Sequence, residues 1–261
     1  MSSLDTELQA ALESVAGTGK LLVALDFDGV LAPLVEHAED ARPLDGSAAA
    51  VRTLASLRDT VTAFISGRAL DSLRTVASPD PETLLIGSHG AETWTGPNQE
   101  PLQLTPEQAQ LLASARTAVE SVVARHPGCR LEHKPAGVVL HTRSVSEPAA
   151  AAAATEEARR ELSLLDGVQV TDGKSVLEAS VVHTNKGEGI RALRELTGAT
   201  AVLFAGDDVT DERGFAALQP GDVSIKVGDG STAAAYRVAS PEEFTAVLAE
   251  LARLRAAAVA G

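Results

Sequence analysis

Residues 21–31, LLVALDFDGVL, restrict the folds open to this chain more than any other stretch. Positions 21–25 are all apolar and are flanked by Gly19 and Gly29. A short unbroken apolar run of this kind fits a strand covered on both faces, the strand type of parallel sheets. The run ends on Asp26, with Asp28 two positions later. Two carboxylates where a buried strand gives way to a glycine turn are costly to place unless a cation or a reaction uses them. Ligands of open α/β sheets gather at such strand ends. With 36 acidic residues in the chain, an Asp-x-Asp pair alone is a weak signal. Its place at a strand end strengthens it, and later stretches decide it.

Further strands follow in a regular rhythm. The spacing predicts helices over 47–57 and 70–76, and strands over 61–65 and 84–86. The second strand ends at Ser66-Gly67-Arg68 and the third at Gly87-Ser88-His89-Gly90. Strand, helix, strand, helix, strand implies a parallel sheet with right-handed crossovers. Before it, Leu4, Leu8, Leu12 and Val15 stand at helical spacing.

The rhythm changes near residue 105. Thr105-Pro106-Glu107 opens a long helix to about Arg125, with Thr105 as N-cap and proline at the first helical position. Strands are expected over 131–134 and 138–143 with a turn at 135–137, a helix over 148–165, and a hairpin of 168–171 with 176–179 around Asp172-Gly173. Helix, two strands, helix, two strands describes a small α+β unit inserted into the first domain. The opening rhythm returns with a helix over 187–196, strands over 201–205 and 223–227, and a closing amphipathic helix over 241–255. The expected organisation is an α/β, Rossmann-like parallel-sheet core over 1–104 and 181–261, with an inserted cap over 105–180.

Bulk properties narrow the function. A formal charge of −14 argues against non-specific nucleic-acid binding, which needs a basic surface. It also requires local groups to capture any anionic substrate against the general field. No apolar run approaches the length of a membrane span, and the N-terminus lacks a basic leader. Cys129 is the single cysteine, so no intramolecular disulfide forms. Together these features give the expectation of a cytoplasmic protein that binds neither nucleic acid nor membrane. Cys129 itself reads as a buried, inert thiol. The six histidines show no zinc-like spacing, so His133 and His183 read as structural.

In a parallel sheet all strand C-termini share one edge. Asp26 and Asp28, Ser66, Lys186 preceded by Thr184-Asn185, and Asp207-Asp208 with Asp211 can therefore converge. Each piece alone has a plain structural reading. Ser66 can cap a helix, Lys186 can sit on the surface, and the acids of 207–212 can complement a helix dipole. Jointly and in this order they point to one site.

These residues resemble the haloacid dehalogenase superfamily of phosphotransferases, and more narrowly the trehalose-6-phosphate phosphatases. The likeness rests on DFDG at 26–29, ISGR at 65–68, GSHGAE at 87–92, LEHK at 131–134, VLEAS at 176–180 and FAGDDVTDE at 204–212. One departure is Val30, where the superfamily usually has a threonine. The resemblance implies a magnesium-dependent phosphatase acting on trehalose 6-phosphate in trehalose biosynthesis, with functional coupling to a trehalose-6-phosphate synthase.

Phosphoryl transfer needs an in-line nucleophile and cations spread over the phosphoryl oxygens. Asp26, at the end of the buried strand, is the expected nucleophile, forming an aspartyl-phosphate. Asp28 is the expected general acid and then base. Crowding by other carboxylates would favour its protonated form. Ser66 and Lys186 are expected to hold the phosphoryl oxygens. Mg²⁺ would be held by Asp26, the Asp28 backbone carbonyl and Asp207, with Asp208 or Asp211 in support. The cap would exclude water and read the sugar through Glu132, Lys134 and Glu178, with His141, Arg143 and Lys174 as further candidates. Gly67, Arg68 and His89 complete the expected substrate contacts, and Glu92 either lines the cleft or serves the turn. Trp94 reads as a packing residue. The alternatives are a phosphatase for another sugar phosphate, such as sucrose phosphate or a glycosyl-phosphoglycerate, and a catalytically silent sugar-phosphate-binding domain, for which Val30 is the support. A dehalogenase would need neither an acid at Asp28 nor a metal-binding Asp207.

Overall fold

The structure, a computed structural model, describes residues 5–96, 102–173 and 175–260. Leu4 and Lys174 lie outside the described residues. The chain begins with α1 (Thr6–Ala16), β1 (Leu21–Leu25), α2 (Asp45–Ala55), β2 (Thr60–Ile65), α3 (Leu70–Ala77), β3 (Leu84–Gly87) and β4 (Glu92–Trp94). Next come α4 (Pro106–Arg125), β5 (Arg130–Lys134), β6 (Gly137–His141), α5 (Pro148–Leu162), β7 (Gln169–Gly173) and β8 (Val176–Ser180). It closes with α6 (Lys186–Thr197), β9 (Ala201–Gly206), α7 (Glu212–Phe215), β10 (Val223–Val227), β11 (Tyr236–Val238) and α8 (Pro241–Val259). Two compact units result, one of Met1–Glu100 with Thr184–Gly261 and one of Pro101–His183.

The larger unit holds a seven-stranded sheet in the order β11-β10-β9-β1-β2-β3-β4. All neighbours pair in parallel except β3 and β4. β1 lies between β2 and β9, and all five of its side chains are buried. Leu21, Val23 and Leu25 enter one core with Leu12, Leu54, Phe244 and Leu251 from α1, α2 and α8. Leu22 and Ala24 enter a second core on the opposite face, with Ile190 and Leu193 of α6 and Phe215 of α7. Each fully buried leucine contributes about 1.5–3 kcal/mol, which fits a central strand with no polar residue before Asp26. Val30 is fully buried in the first core, so its place in the turn after Asp26 is a packing position.

The smaller unit is an antiparallel sheet in the order β5-β6-β8-β7 with α4 and α5. Thr105 and Gln108 form a reciprocal capping box at the start of α4, which fixes that helix where the Thr-Pro-Glu pattern puts it. Val138, Leu140, Leu177 and Ala179 pack with Ala115, Val119, Ala154 and Ala158 of the helices. Cys129 belongs to this core, where burial pushes its thiol up from its ordinary pKa.

Several features differ from the sequence reading. α2 begins and ends two residues earlier than the pattern gives, because Leu44 rather than a polar residue stands at its N-cap. β4 and β11 have three residues each, too short for periodicity to register. Asp172 and Gly173, expected to form a turn, instead pair with Leu177 and Val176 of β8.

Candidate active site

The C-terminal edge of the larger sheet gathers the polar groups of β1, β2, β9 and α6. Asp26 leaves β1 with its N–H on Ala205 of β9 at 3.0 Å and one carboxylate oxygen accepting from the Phe27 N–H at 2.6 Å. Asn185 caps α6 by accepting from the Glu188 N–H, which sets Lys186 as the first helical residue. Lys186 is 2% exposed, and its ammonium donates to Asp26 Oδ2 at 2.7 Å and to Asp211 Oδ1 at 2.6 Å. The other Asp211 oxygen accepts from the backbone N–H groups of Asp207 and Asp208. Gly29, with φ +74°, turns the chain against Asp207, and a Cβ there would collide with the Asp207 carboxylate.

Asp26, Asp207 and Asp211 each offer an oxygen within 4.8 Å of the others and form a group that can hold a metal ion. The electrostatics point the same way. Burial raises Asp26 well above the usual carboxylate range, against the pull of Lys186, with Asp211 and Asp207 adding to the rise. Asp207 is pushed up to about 7, first by burial and then by Asp211, with Lys186 acting against both. Lys186 stays charged, because Asp211 and Asp26 hold its pKa above the ordinary value despite burial. Hard oxygen donors with surplus negative charge suit a divalent cation.

Asp28 and Asp208 depart from the expected arrangement. Asp28 faces Arg68, not other acids: Arg68 Nε donates to Oδ2 at 2.6 Å and Nη2 to Oδ1 at 2.7 Å. The crowding invoked for its protonated form is therefore not met at Asp28. That environment belongs to Asp26 and Asp207. Asp208 is exposed and its side chain caps the following turn at the Val209 N–H, so it is not one of the cluster of three.

Ser66 does not cap α3, whose N-cap is Ala69. It is buried, and its hydroxyl oxygen accepts from the Arg68 N–H at 3.1 Å. The 66–68 loop locks into the 88–92 turn, where Ser88 and His89 both have positive φ. His89 N–H donates to the Ser66 carbonyl at 3.0 Å and Ser88 N–H to the Arg68 carbonyl at 2.7 Å. Glu92 accepts from the Ser88 hydroxyl at 2.6 Å, the turn role. A side chain at Gly67 would meet the His89 imidazole. Trp94 packs on the core with the Arg74 guanidinium 3.9 Å over its ring.

In the smaller unit, the strand register puts Glu132, Lys134, His141 and Glu178 on the sheet face opposite the helices. Lys134 donates to Glu178 at 2.7 Å, and His141 meets Glu132 at 2.7 Å. His183 bonds the Gly167 carbonyl at 2.8 Å, and His133 is exposed on β5. One buried residue escaped the sequence reading: Lys226 of β10, whose ammonium donates to the Asp207 carbonyl. The available signal was a lysine inside the apolar run VSIKV.

Residues 24–242 match the trehalose-phosphatase family. The chain belongs to that family. The match takes in every site residue named above. Among its relatives is the trehalose-6-phosphate phosphatase of Escherichia coli (strain K12), 33% identical over 218 residues, covering 82% of this chain and 80% of that protein. The trehalose-phosphate phosphatase of Mycobacterium marinum is also 33% identical, over 270 residues, covering 94% of this chain and 66% of that one. In fold, this trehalose-phosphatase family member is similar to the C-terminal domain of the C. albicans trehalose-6-phosphate phosphatase. The TM-score is 0.80 at 21% identity, over 94% of this chain and 96% of that one. Among the described residues no helix is long and apolar enough to cross a membrane.

Proposed function

We propose that this protein hydrolyses trehalose 6-phosphate to trehalose and phosphate, with the phosphoryl group held in passing on Asp26. Family membership and the names of the relatives support the substrate. The observation that carries the site is Lys186, which bridges Asp26 and Asp211 beside Asp207.

In the first half-reaction an Asp26 oxygen attacks phosphorus and the bond to the sugar oxygen breaks. That oxygen takes a proton from Asp28. In the second, Asp28 accepts a proton from the water that attacks phosphorus, and the bond to Asp26 breaks. Ser66 already accepts from Arg68 N–H, so its own proton is left to donate to a phosphoryl oxygen. Lys186 supplies positive charge to the same oxygens. Asp26, Asp207 and the Asp28 backbone carbonyl would hold Mg²⁺, with Asp211, already bound to Lys186 and two backbone N–H groups, in support. When bound, the ion neutralises charge on nucleophile and phosphoryl group and lets the two approach. The smaller unit acts as a cap that reads the sugar, through the face of Glu132, Lys134 and Glu178. We place the enzyme in the cytoplasm, coupled to the synthase that makes its substrate.

Phosphate release from trehalose 6-phosphate, sucrose 6-phosphate and glucosyl-phosphoglycerate, with Mg²⁺ or EDTA, tests this reading. Turnover should be highest with trehalose 6-phosphate and vanish in EDTA. Preference for either of the other esters would reassign the substrate. Single alanine changes at Glu132, Lys134 and Glu178 should harm trehalose 6-phosphate far more than p-nitrophenyl phosphate, and equal losses would undercut the cap assignment.

A further inference from the structure

Arg68 is held on several sides. Its fork closes on both oxygens of Asp28 at 2.6 and 2.7 Å, Nη1 reaches the Ser72 hydroxyl at 3.3 Å, and the guanidinium carbon lies 5.6 Å from the centre of the Phe27 ring. Phe27 is fully buried between the two aspartates in sequence. The Arg68 backbone is fixed as well, with its N–H on the Ser66 hydroxyl and its carbonyl accepting from Ser88. The side chain is 10% exposed, against 32% for Asp28. The grip therefore comes from the protein side, and the aspartate keeps an open side for reactants.

We infer that Arg68 is a positioning residue that aims the Asp28 carboxylate, and not a ligand of the sugar or the phosphate. A two-pronged guanidinium pair fixes both direction and plane of a carboxylate, which a lysine in its place does not do. Proton transfer to a sugar oxygen and from an attacking water both need that direction, since a candidate acid or base must sit within hydrogen-bond reach of its proton. The inference rests on the acid and base roles proposed above for Asp28.

The test compares wild type, Arg68→Gln, Arg68→Lys, Asp28→Asn and the double variant Asp28→Asn/Arg68→Gln. Substrates are trehalose 6-phosphate, whose leaving alkoxide needs a proton, and p-nitrophenyl phosphate, whose leaving group departs without one. Arg68→Gln should lower kcat on trehalose 6-phosphate about 10- to 100-fold, with KM within about twofold, since a group acting through a catalytic one affects the chemical step and not ground-state binding. The first-turnover burst of nitrophenolate should fall far less, and the steady phase after it should be slow. Arg68→Lys, which keeps charge and stem and remains the test if the glutamine variant does not fold, should show the same pattern more mildly. The double variant should be no slower than Asp28→Asn. A raised KM with unchanged kcat, or losses that multiply with Asp28→Asn already impaired, would overturn the inference alone. Full trehalose 6-phosphate turnover by Asp28→Asn would overturn the role of Asp28, and the inference with it.

Discussion

At the N-terminal ends of β1 and β2, Arg255 of α8 donates to the Thr60 hydroxyl and to the carbonyls of Ala16, Thr18, Gly19 and Asp59. At the C-terminal edge of the same sheet, Asp26, Asp207 and Asp211 gather around the Lys186 ammonium, which donates to Asp26 and Asp211, while Lys226 donates to the Asp207 backbone carbonyl. Both regions bury charge, and they resolve it differently. Arg255 is 1% exposed and meets five acceptors, so its desolvation is met within the fold. The acidic cluster keeps a negative surplus that shows as raised affinity for protons at Asp26 and Asp207. Charge is closed at the structural clamp and left open at the C-terminal edge, the pattern of a candidate functional site.

The largest expected effect separates the two ends by activity. Asp26→Asn should lose phosphatase turnover by a factor on the order of 10⁴ or more. In EDTA it should melt no lower than wild type, because it removes one of the surplus negative charges. A marked drop in melting temperature would show that Asp26 is needed for the fold and would close the contrast. Arg255→Ala should do the reverse and cost about 3 kcal/mol or more in urea denaturation, because buried carbonyls lose charged donors. The kcat of the folded fraction should stay near that of wild type.

A smaller effect concerns pH. The folded protein holds the Asp207 proton up to about 7, and the unfolded chain releases it near 3.8. Stability from this group is therefore fully present below 3.8 and is lost as pH rises to about 7. Without metal, melting curves from pH 4 to 8 should fall more steeply for wild type than for Asp207→Asn. Saturating Mg²⁺ should flatten the difference, and Mg²⁺ affinity measured by calorimetry should tighten as pH rises towards 7. Parallel slopes for the two proteins in EDTA would remove Asp207 from this role. The smallest effect lies two residues from the clamp. Arg253 on the solvent side of α8 pairs with Glu250, and Arg253→Ala should leave the urea midpoint within the scatter of repeats. A loss near that of Arg255→Ala would mean that burial is not what separates the two arginines.

Much of the core was legible in sequence because its signals are local. Five apolar residues before Asp26 announce a strand covered on both faces, and Thr105-Pro106 announces a helix start. The order of the strand ends followed from the parallel rhythm, and with it the meeting of Asp26, Lys186 and Asp207. The short strands β4 and β11 stayed hidden, since three residues hold too little periodicity.

What the sequence by itself determined is which groups reach the edge of the sheet: strand direction alone carries them there. Which group faces which was decided by tertiary structure. Arg68, not a carboxylate, is the partner of Asp28. Asp211 and not Asp208 joins the cluster: Asp211 is fully buried against Lys186, while Asp208 is the extended N-cap of that turn and spends its side chain on the Val209 N–H. Lys226 reaches the Asp207 carbonyl across two neighbouring strands. These are pairings at hydrogen-bond distance between residues up to 40 positions apart for Arg68 and Asp28, and 160 for Lys186 and Asp26. Their geometry is set by how helices pack on the sheet, which no local pattern of residues encodes.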